Sequence, residues 1–296
     1  MVVIETKMNG FDNKLKFDKL NYPQCSCGKC FKMFFNSLHI GARQSGKTYG
    51  VVRIIKHYEN NKILRDGVVY KLRTHLISPT IQANEIYQSL ESLDLKKDAH
   101  EDYSDKLLID IIDKIKERKT KYEEYILYKK YYEKVMKTPE NKLDALYEKE
   151  PEIFNLLEKY DYQNPNELDH EPPEINIIIL DDLLGSDAFS KKTKSTLTNA
   201  MIKNRHIGVV FMVLVQSIRA VPKNIRLNCS VFQLATFKNK KVILEDIYEE
   251  VSNVINIDEF EELYDHATSK PYGSLIIDTT DGKRFLSNLD FELSLS

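Results

Sequence analysis

The octapeptide Gly41-Ala42-Arg43-Gln44-Ser45-Gly46-Lys47-Thr48 satisfies the pattern G-x-x-x-x-G-K-[S/T] at every fixed position. The pattern has a mechanical meaning. Glycines let the backbone curl so that successive N–H groups converge on the β-phosphate of a nucleotide. Lys47 then reaches the β- and γ-phosphates, and the Thr48 hydroxyl becomes a ligand for Mg²⁺. Such a loop must leave an apolar strand and open a helix. Residues 34–40 have β-rich, apolar-weighted composition, and beyond Thr48 the residues Val51, Val52, Ile54 and Ile55 recur at roughly helical spacing. Both neighbours fit, which sets the loop apart from a Gly-rich turn without a ligand.

The 296 residues suffice for one large domain, or for one domain carrying an insertion. An apolar fraction of 42% can fill a sizeable core and excludes global disorder. No run of eighteen apolar residues occurs, so no membrane span is expected. Residues 1–7 are too short in their apolar part, and too early in their charges, for a signal peptide. A cytosolic protein is therefore expected. Three of the four cysteines crowd into Cys25-Ser26-Cys27-Gly28-Lys29-Cys30. In a reducing compartment that is no disulfide framework. As a zinc site it lacks a fourth ligand at ordinary finger spacing, unless folding brings in His39 or Cys229; free thiols in a turn are the expectation.

Net charge is −2 but unevenly placed. Residues 191–241 carry eleven Lys and Arg and no acid, whereas 139–174 carry eleven acids against three lysines. Segregation of this kind suggests an anionic partner, nucleic acid above all, near the basic block. Solvated helix faces are the alternative.

Further along the chain, 71–77 reads as a strand. From 81 to 170 the sequence turns charged, Tyr-rich and almost free of glycine, and the periodicity predicts helices broken at Pro139 and Pro151. Leu107, Leu108, Ile111, Ile112 and Ile115 form one apolar face, and the tyrosines at 122, 125 and 132 read as packing surface. After Pro172-Pro173 come continuous apolar runs at 175–180, 209–215 and 230–237, the mark of strands buried on both faces in a parallel sheet. Strand-like runs at 274–280 and 284–286 flank Asp281-Gly282, a hairpin signal. The fold expected is α/β, a P-loop NTPase with a mainly parallel central sheet flanked by helices, a helical insertion and a C-terminal β-hairpin. Residues 1–80 hold its first half, 81–170 the insertion and 171–296 the second half.

The run at 175–180 ends in Asp181-Asp182, at the carboxyl end of its strand where an α/β sheet places its ligand crevice. Asp181 would join Thr48 in holding Mg²⁺, and Asp182 would orient or deprotonate the attacking water. Gln216 ends the next run and can touch both γ-phosphate and water, or merely cap a strand. Arg205 lies in Lys203-Asn204-Arg205-His206. It reads either as an arginine delivered to a neighbour's γ-phosphate or as a surface arginine, with Arg219 and Arg226 competing for the first role.

The succession Gly41–Thr48, Asp181-Asp182, Asn204-Arg205-His206, Val213-Leu214-Val215-Gln216 and Val221-Pro222-Lys223-Asn224-Ile225-Arg226-Leu227-Asn228 resembles the FtsK–HerA superfamily. More narrowly, it is similar to the genome-packaging ATPases of large DNA viruses of the poxvirus-like group and their virophage relatives. The resemblance implies a homo-oligomeric ring, a pentamer or hexamer, that uses ATP and Mg²⁺ to pump double-stranded DNA into a capsid. Gln216 would be the sensor and Arg205 the arginine finger, with capsid or portal-vertex proteins as partners. It implies action at the assembly site in host cytoplasm. Asp182 stands where many relatives carry Glu, and the 81–170 block has no counterpart role. Asn239-Lys240-Lys241-Val242 lacks the Asp of a guanine-reading motif, so ATP is expected over GTP. Eighty residues after Gln216 leave little for a nuclease domain of the terminase kind. A DNA helicase, a segregation ATPase and a nucleotide-gated capsid-docking module remain as alternatives.

Overall fold

The computed structural model describes residues 22–189, 195–237, 239–252, 255–280 and 284–294, with 242 and 243 described by their backbone alone. Its strands are β1 (Gln24–Cys25), β2 (Asn36–Ile40), β3 (Ile63–Arg65), β4 (Val68–Ile77), β5 (Ala99–His100) and β6 (Glu174–Asp181). Then follow β7 (Val209–Val215), β8 (Val231–Ala235), β9 (Ser274–Asp278), β10 (Arg284–Ser287) and β11 (Phe291–Leu293). The helices are α1 (Lys47–Glu59), α2 (Asp105–Lys137), α3 (Leu143–Lys149), α4 (Pro151–Lys159), α5 (Thr196–Ile202), α6 (Asn204–Ile207), α7 (Lys223–Arg226), α8 (Lys240–Val251) and α9 (Ile257–Thr268).

The strands form one sheet in the order β1-β3-β4-β6-β7-β2-β8-β9-β10-β11, with β5 on β4. From β4 to β8 every pairing is parallel, and β8-β9-β10-β11 continue antiparallel. Period-two alternation explains why the central strands are apolar throughout. Val209, Phe211, Val213 and Val215 face the helices α2, α5, α8 and α9, while Val210, Met212 and Leu214 face α1. Each strand thus fills two cores at once. The β9–β10 hairpin expected from the sequence is present in the pairing of Arg284 with Asp278; its Asp281-Gly282 turn lies outside the described residues.

Helical character over 81–170 begins only at Asp105. Residues 81–100 instead form two short 3₁₀ segments and β5. They cover the outer edge of β4, taking N–H donors of Thr74, Leu76 and Ser78 on the carbonyls of Ser92, Asp98 and His100 at 2.8, 2.8 and 2.9 Å. An open strand edge exerts that pull on whatever chain lies beside it, and local periodicity does not record it. Helix α2 runs 33 residues, roughly 50 Å. Its first half buries Leu108, Ile111, Ile112 and Ile115 against the sheet. Its second half projects, and Tyr128 and Val135 make a small separate core with Ile153 and Leu157 of α4. Tyr128 is fully buried and Tyr125 stacks on His170 at 3.7 Å, so these tyrosines are packing surface.

Candidate active site

Register decides what meets at the carboxyl edge of the sheet. Ile40 pairs with Val215, and Asp181 with Leu214. The residues that follow, Gly41, Gln216 and Asp182, therefore emerge side by side, with β7 between the loop strand and the acidic strand. A cavity of about 920 Å³ opens there, lined by the loop, Asp181, Asp182 and Gln216.

The loop leaves β2 in a tight curl. Gly41 packs so closely on β8 that a Cβ would sit 2.7 Å from that of Ala235, and Gly46 takes φ 93° just before α1. Gly46 offers no side-chain cap, which leaves the first N–H groups of α1 to the cavity that the loop lines, the arrangement that binds anions at helix starts. Lys47 arches over the loop, its ammonium donating to the carbonyls of Gly41 and Ala42 at 2.9 and 2.8 Å. Burial pulls its pKa below the ordinary lysine value, while Asp181 and Asp182 pull it back up.

Asp181 is 5% exposed. Burial, with some help from Asp182, raises its carboxyl above the usual range, against hydrogen bonding to Tyr87 and the charge of Lys47. The Tyr87 hydroxyl donates to Asp181 Oδ2 at 2.7 Å and also meets the Thr48 hydroxyl. Thr48 and Asp181 are thus drawn to one point, and hard oxygen donors beside a buried carboxylate fit Mg²⁺. Asp182 adopts φ 54°, a left-handed conformation that costs a non-glycine residue about 1–3 kcal/mol. Its N–H on the Leu214 carbonyl at 3.4 Å and the Gln216 amide on its Oδ1 at 3.0 Å accompany that geometry. Gln216 is thereby joined to the acid pair, not isolated as a strand cap.

Arg205 does not join them. It sits on α6, before the amino end of β7 and so a strand length away, with its guanidinium over the Tyr22 ring at 5.9 Å. Within one chain it cannot reach the cavity. Arg219 is on the cavity's edge of the sheet but is paired with Asp246 at 2.6 Å; Arg226, half-buried, pairs with Glu250 at 3.1 Å. These pairs also correct the reading of the basic block. Arg219, Lys223 and Arg226 meet Asp246, Glu249 and Glu250 of α8, and Lys240 meets Asp265, so part of the segregated charge is neutralised inside the chain. Lys191, Lys192, Lys194 and Lys238 lie outside the described residues. Two asparagines of the motif succession are structural. Asn204 donates to the Phe34 carbonyl and to Asn36, and Asn36 donates to the Asn228 carbonyl, which fixes the entry of β2.

Sequence reasoning missed Tyr87, and it missed a buried polar chain behind the loop. Ser37 meets His39 Nε2 at 2.8 Å, His39 Nδ1 meets Gln233 Oε1 at 2.7 Å, Gln233 donates to Ser274 at 3.0 Å and Ser274 to Asn288 at 2.9 Å. The partners assign His39 the tautomer with its proton on Nδ1.

Loop, buried parallel strands and acidic strand end together define a P-loop NTPase-like α/β fold. Among solved structures the chain is similar to the genome packaging NTPase B204 from Sulfolobus turreted icosahedral virus 2 in complex with AMP. Identity is 11% over 88% of this chain and 97% of that one, with a TM-score of 0.42. It is similar to B204, the DNA-packaging ATPase from Sulfolobus turreted icosahedral virus, at 13% identity over 89% and 99% of the two chains, TM-score 0.43. EssC (ATPases 2 and 3) from Geobacillus thermodenitrificans aligns at 12% identity over 86% of this chain and 39% of that one, TM-score 0.41. No family model and no curated protein matches the sequence.

Proposed function

We propose that this protein is an ATP-driven motor that translocates double-stranded DNA into a viral capsid, working as a homo-oligomeric ring. The observation that carries its enzymatic half is the convergence of Lys47, Thr48, Asp181, Asp182 and Gln216 on one cavity. The loop N–H groups and the Lys47 ammonium hold the β- and γ-phosphates of ATP. Thr48 and Asp181 would hold Mg²⁺, which supplies charge neutralisation on the phosphate oxygens when bound. Asp182, fixed by Gln216, orients a water molecule whose oxygen bonds to the γ-phosphorus as the bond to the ADP oxygen breaks; the water proton leaves towards the carboxylate. Because Gln216 touches Asp182 directly, loss of the γ-phosphate is sensed at the end of β7. The finger arginine comes from a neighbouring subunit; Arg205, at the far end of β7, would serve only in that way.

The DNA half rests on the motif succession and on the exposed cations around α6. The internal pairing of Arg219, Lys223 and Arg226 favours a second reading, a nucleotide-gated docking module whose partner is a protein. One experiment separates the two. ATP turnover is measured on size-fractionated protein with and without duplex DNA. The motor predicts turnover in an oligomeric fraction, severalfold stimulation by duplex of any sequence, and loss of stimulation as salt rises. Turnover indifferent to DNA leaves the ATPase and removes the motor. Mixing wild-type with Arg205→Ala subunits should depress activity more steeply than dilution; proportional loss refutes a finger at Arg205.

A further inference from the structure

At the opposite end of α1 from Lys47, four side chains converge that the nucleotide site does not use. Cys25, Cys27, Cys30 and His57 each offer one ligand atom, and these atoms all lie within 4.8 Å of one another. The sulfurs of Cys25 and Cys27 are 3.3 Å apart, those of Cys27 and Cys30 3.1 Å, and His57 Nε2 is 3.2 Å from Cys27 Sγ. All four cysteines are free thiols, so convergence does not reflect a disulfide. We propose that these four residues bind one structural zinc ion in a Cys₃His site.

Geometry and ligand chemistry both favour this. Ligands about 2.3 Å from a tetrahedral ion lie roughly 3.8 Å from each other, so a cluster this size suits a single ion and is too tight for a multinuclear one. Three thiolates and an imidazole are the donor set that zinc takes in closed structural sites. The backbone is shaped for it. Gly28 takes φ 66° and returns its N–H to the Cys25 carbonyl at 3.2 Å, closing a turn that presents Cys27 and Cys30 on one side. The Lys29 N–H then points at Cys27 Sγ at 3.4 Å, as a donor to a thiolate would. His57 lies in the last turn of α1, where a bound dication complements the helix dipole.

The fourth ligand is neither His39 nor Cys229, the two residues that folding was expected to offer. Both ring nitrogens of His39 are engaged by Ser37 and Gln233, and Cys229 donates to the Ile225 carbonyl at 3.4 Å. The ion would staple an otherwise thinly held loop. Strand β1 has only two residues, paired with β3, and Arg284 of β10 reaches the Lys29 carbonyl at 3.3 Å. One metal would then fasten the loop to the C-terminal turn of the phosphate-loop helix and, through Arg284, to the C-terminal hairpin.

The full chain, purified without chelators, should carry about one zinc per chain by elemental analysis. After dialysis against a competing chelator, Cys27→Ser and His57→Ala should retain at least roughly tenfold less zinc than wild type. Because His57 is exposed, its variant remains informative if the cysteine variant does not fold. Cobalt added to stripped protein should give thiolate charge-transfer and tetrahedral d–d bands that zinc abolishes and His57→Ala alters. Metal-free protein with intact thiols, iron in place of zinc, fewer than four titratable thiols in denaturant, or cobalt bands indifferent to His57 would each overturn the assignment. None of these readouts depends on ATP turnover, so the metal site and the motor stand or fall separately.

Discussion

Replacing Lys47 by alanine should lower ATP turnover by roughly a hundred- to a thousandfold, the loss that follows removal of one preorganised charge donor from a phosphoryl or oxyanion site. The ammonium sits over the loop between two backbone carbonyls and in the field of Asp181 and Asp182. Its bonds to Gly41 and Ala42 are made on a half-buried surface, and their loss should cost stability only about 1 kcal/mol. Turnover and unfolding midpoint therefore separate, the first collapsing while the second barely moves. Asp181→Asn should behave alike in turnover, since it keeps the shape and the Tyr87 contact but removes the negative charge opposite Thr48. Turnover of either variant within a few-fold of wild type, in protein with an unchanged unfolding midpoint, would remove this cavity as the hydrolytic site.

Much of that cavity is readable in the chain because its parts are short-range. The loop is eight consecutive residues, and Asp181-Asp182 ends a run that can only be a doubly buried strand. Even the position of Gln216 follows once strands 174–181 and 209–215 are taken as neighbours. What could not be read depends on distant returns of the chain. Tyr87 reaches Thr48 and Asp181 because 81–100 covers the edge of β4, and its local pattern looks as helical as the true helix that begins at Asp105. Cations that stand in an acid-free block find their acids on α8, twenty-odd residues later. His57 is not legible as a cysteine partner for a related reason: it belongs to the phosphate-loop helix, and 26 residues lie between Cys30 and His57. The Asp66-Gly67 turn between β3 and β4, both residues at positive φ, is by contrast legible in its dipeptide.

Acid should weaken the fold through His39. The ring has no solvent exposure and lies in β2, between Ser37 and Gln233 and within the field of Lys47. Burial lowers its pKa to about 4, partly opposed by the Gln233 hydrogen bond and reinforced by Lys47. In the unfolded chain the ring titrates near 6.5. Between those values the unfolded state holds a proton that the native state lacks, so stability falls as pH falls through the window. The separation corresponds to roughly 3 kcal/mol when complete, a large share of the 5–15 kcal/mol that a domain of this kind has. Asp181 works in the other direction, because its raised carboxyl lets the native state take up a proton before the unfolded state does, but only in the lower part of the range. Denaturant unfolding from about pH 7 to about pH 4 should therefore show a steep loss of stability in wild type that His39→Gln reduces by the His39 share, since glutamine can still meet Gln233 without titrating, while His75, lowered by burial to about 4, keeps its own part of the slope. If the variant does not fold, the imidazole resonances of wild type decide the matter: the His39 ring should stay neutral well below pH 6. Equal pH slopes in the two proteins, or a His39 ring that titrates near its ordinary value, would show that the polar chain behind the loop is open to water and that β2 is not sealed on this side.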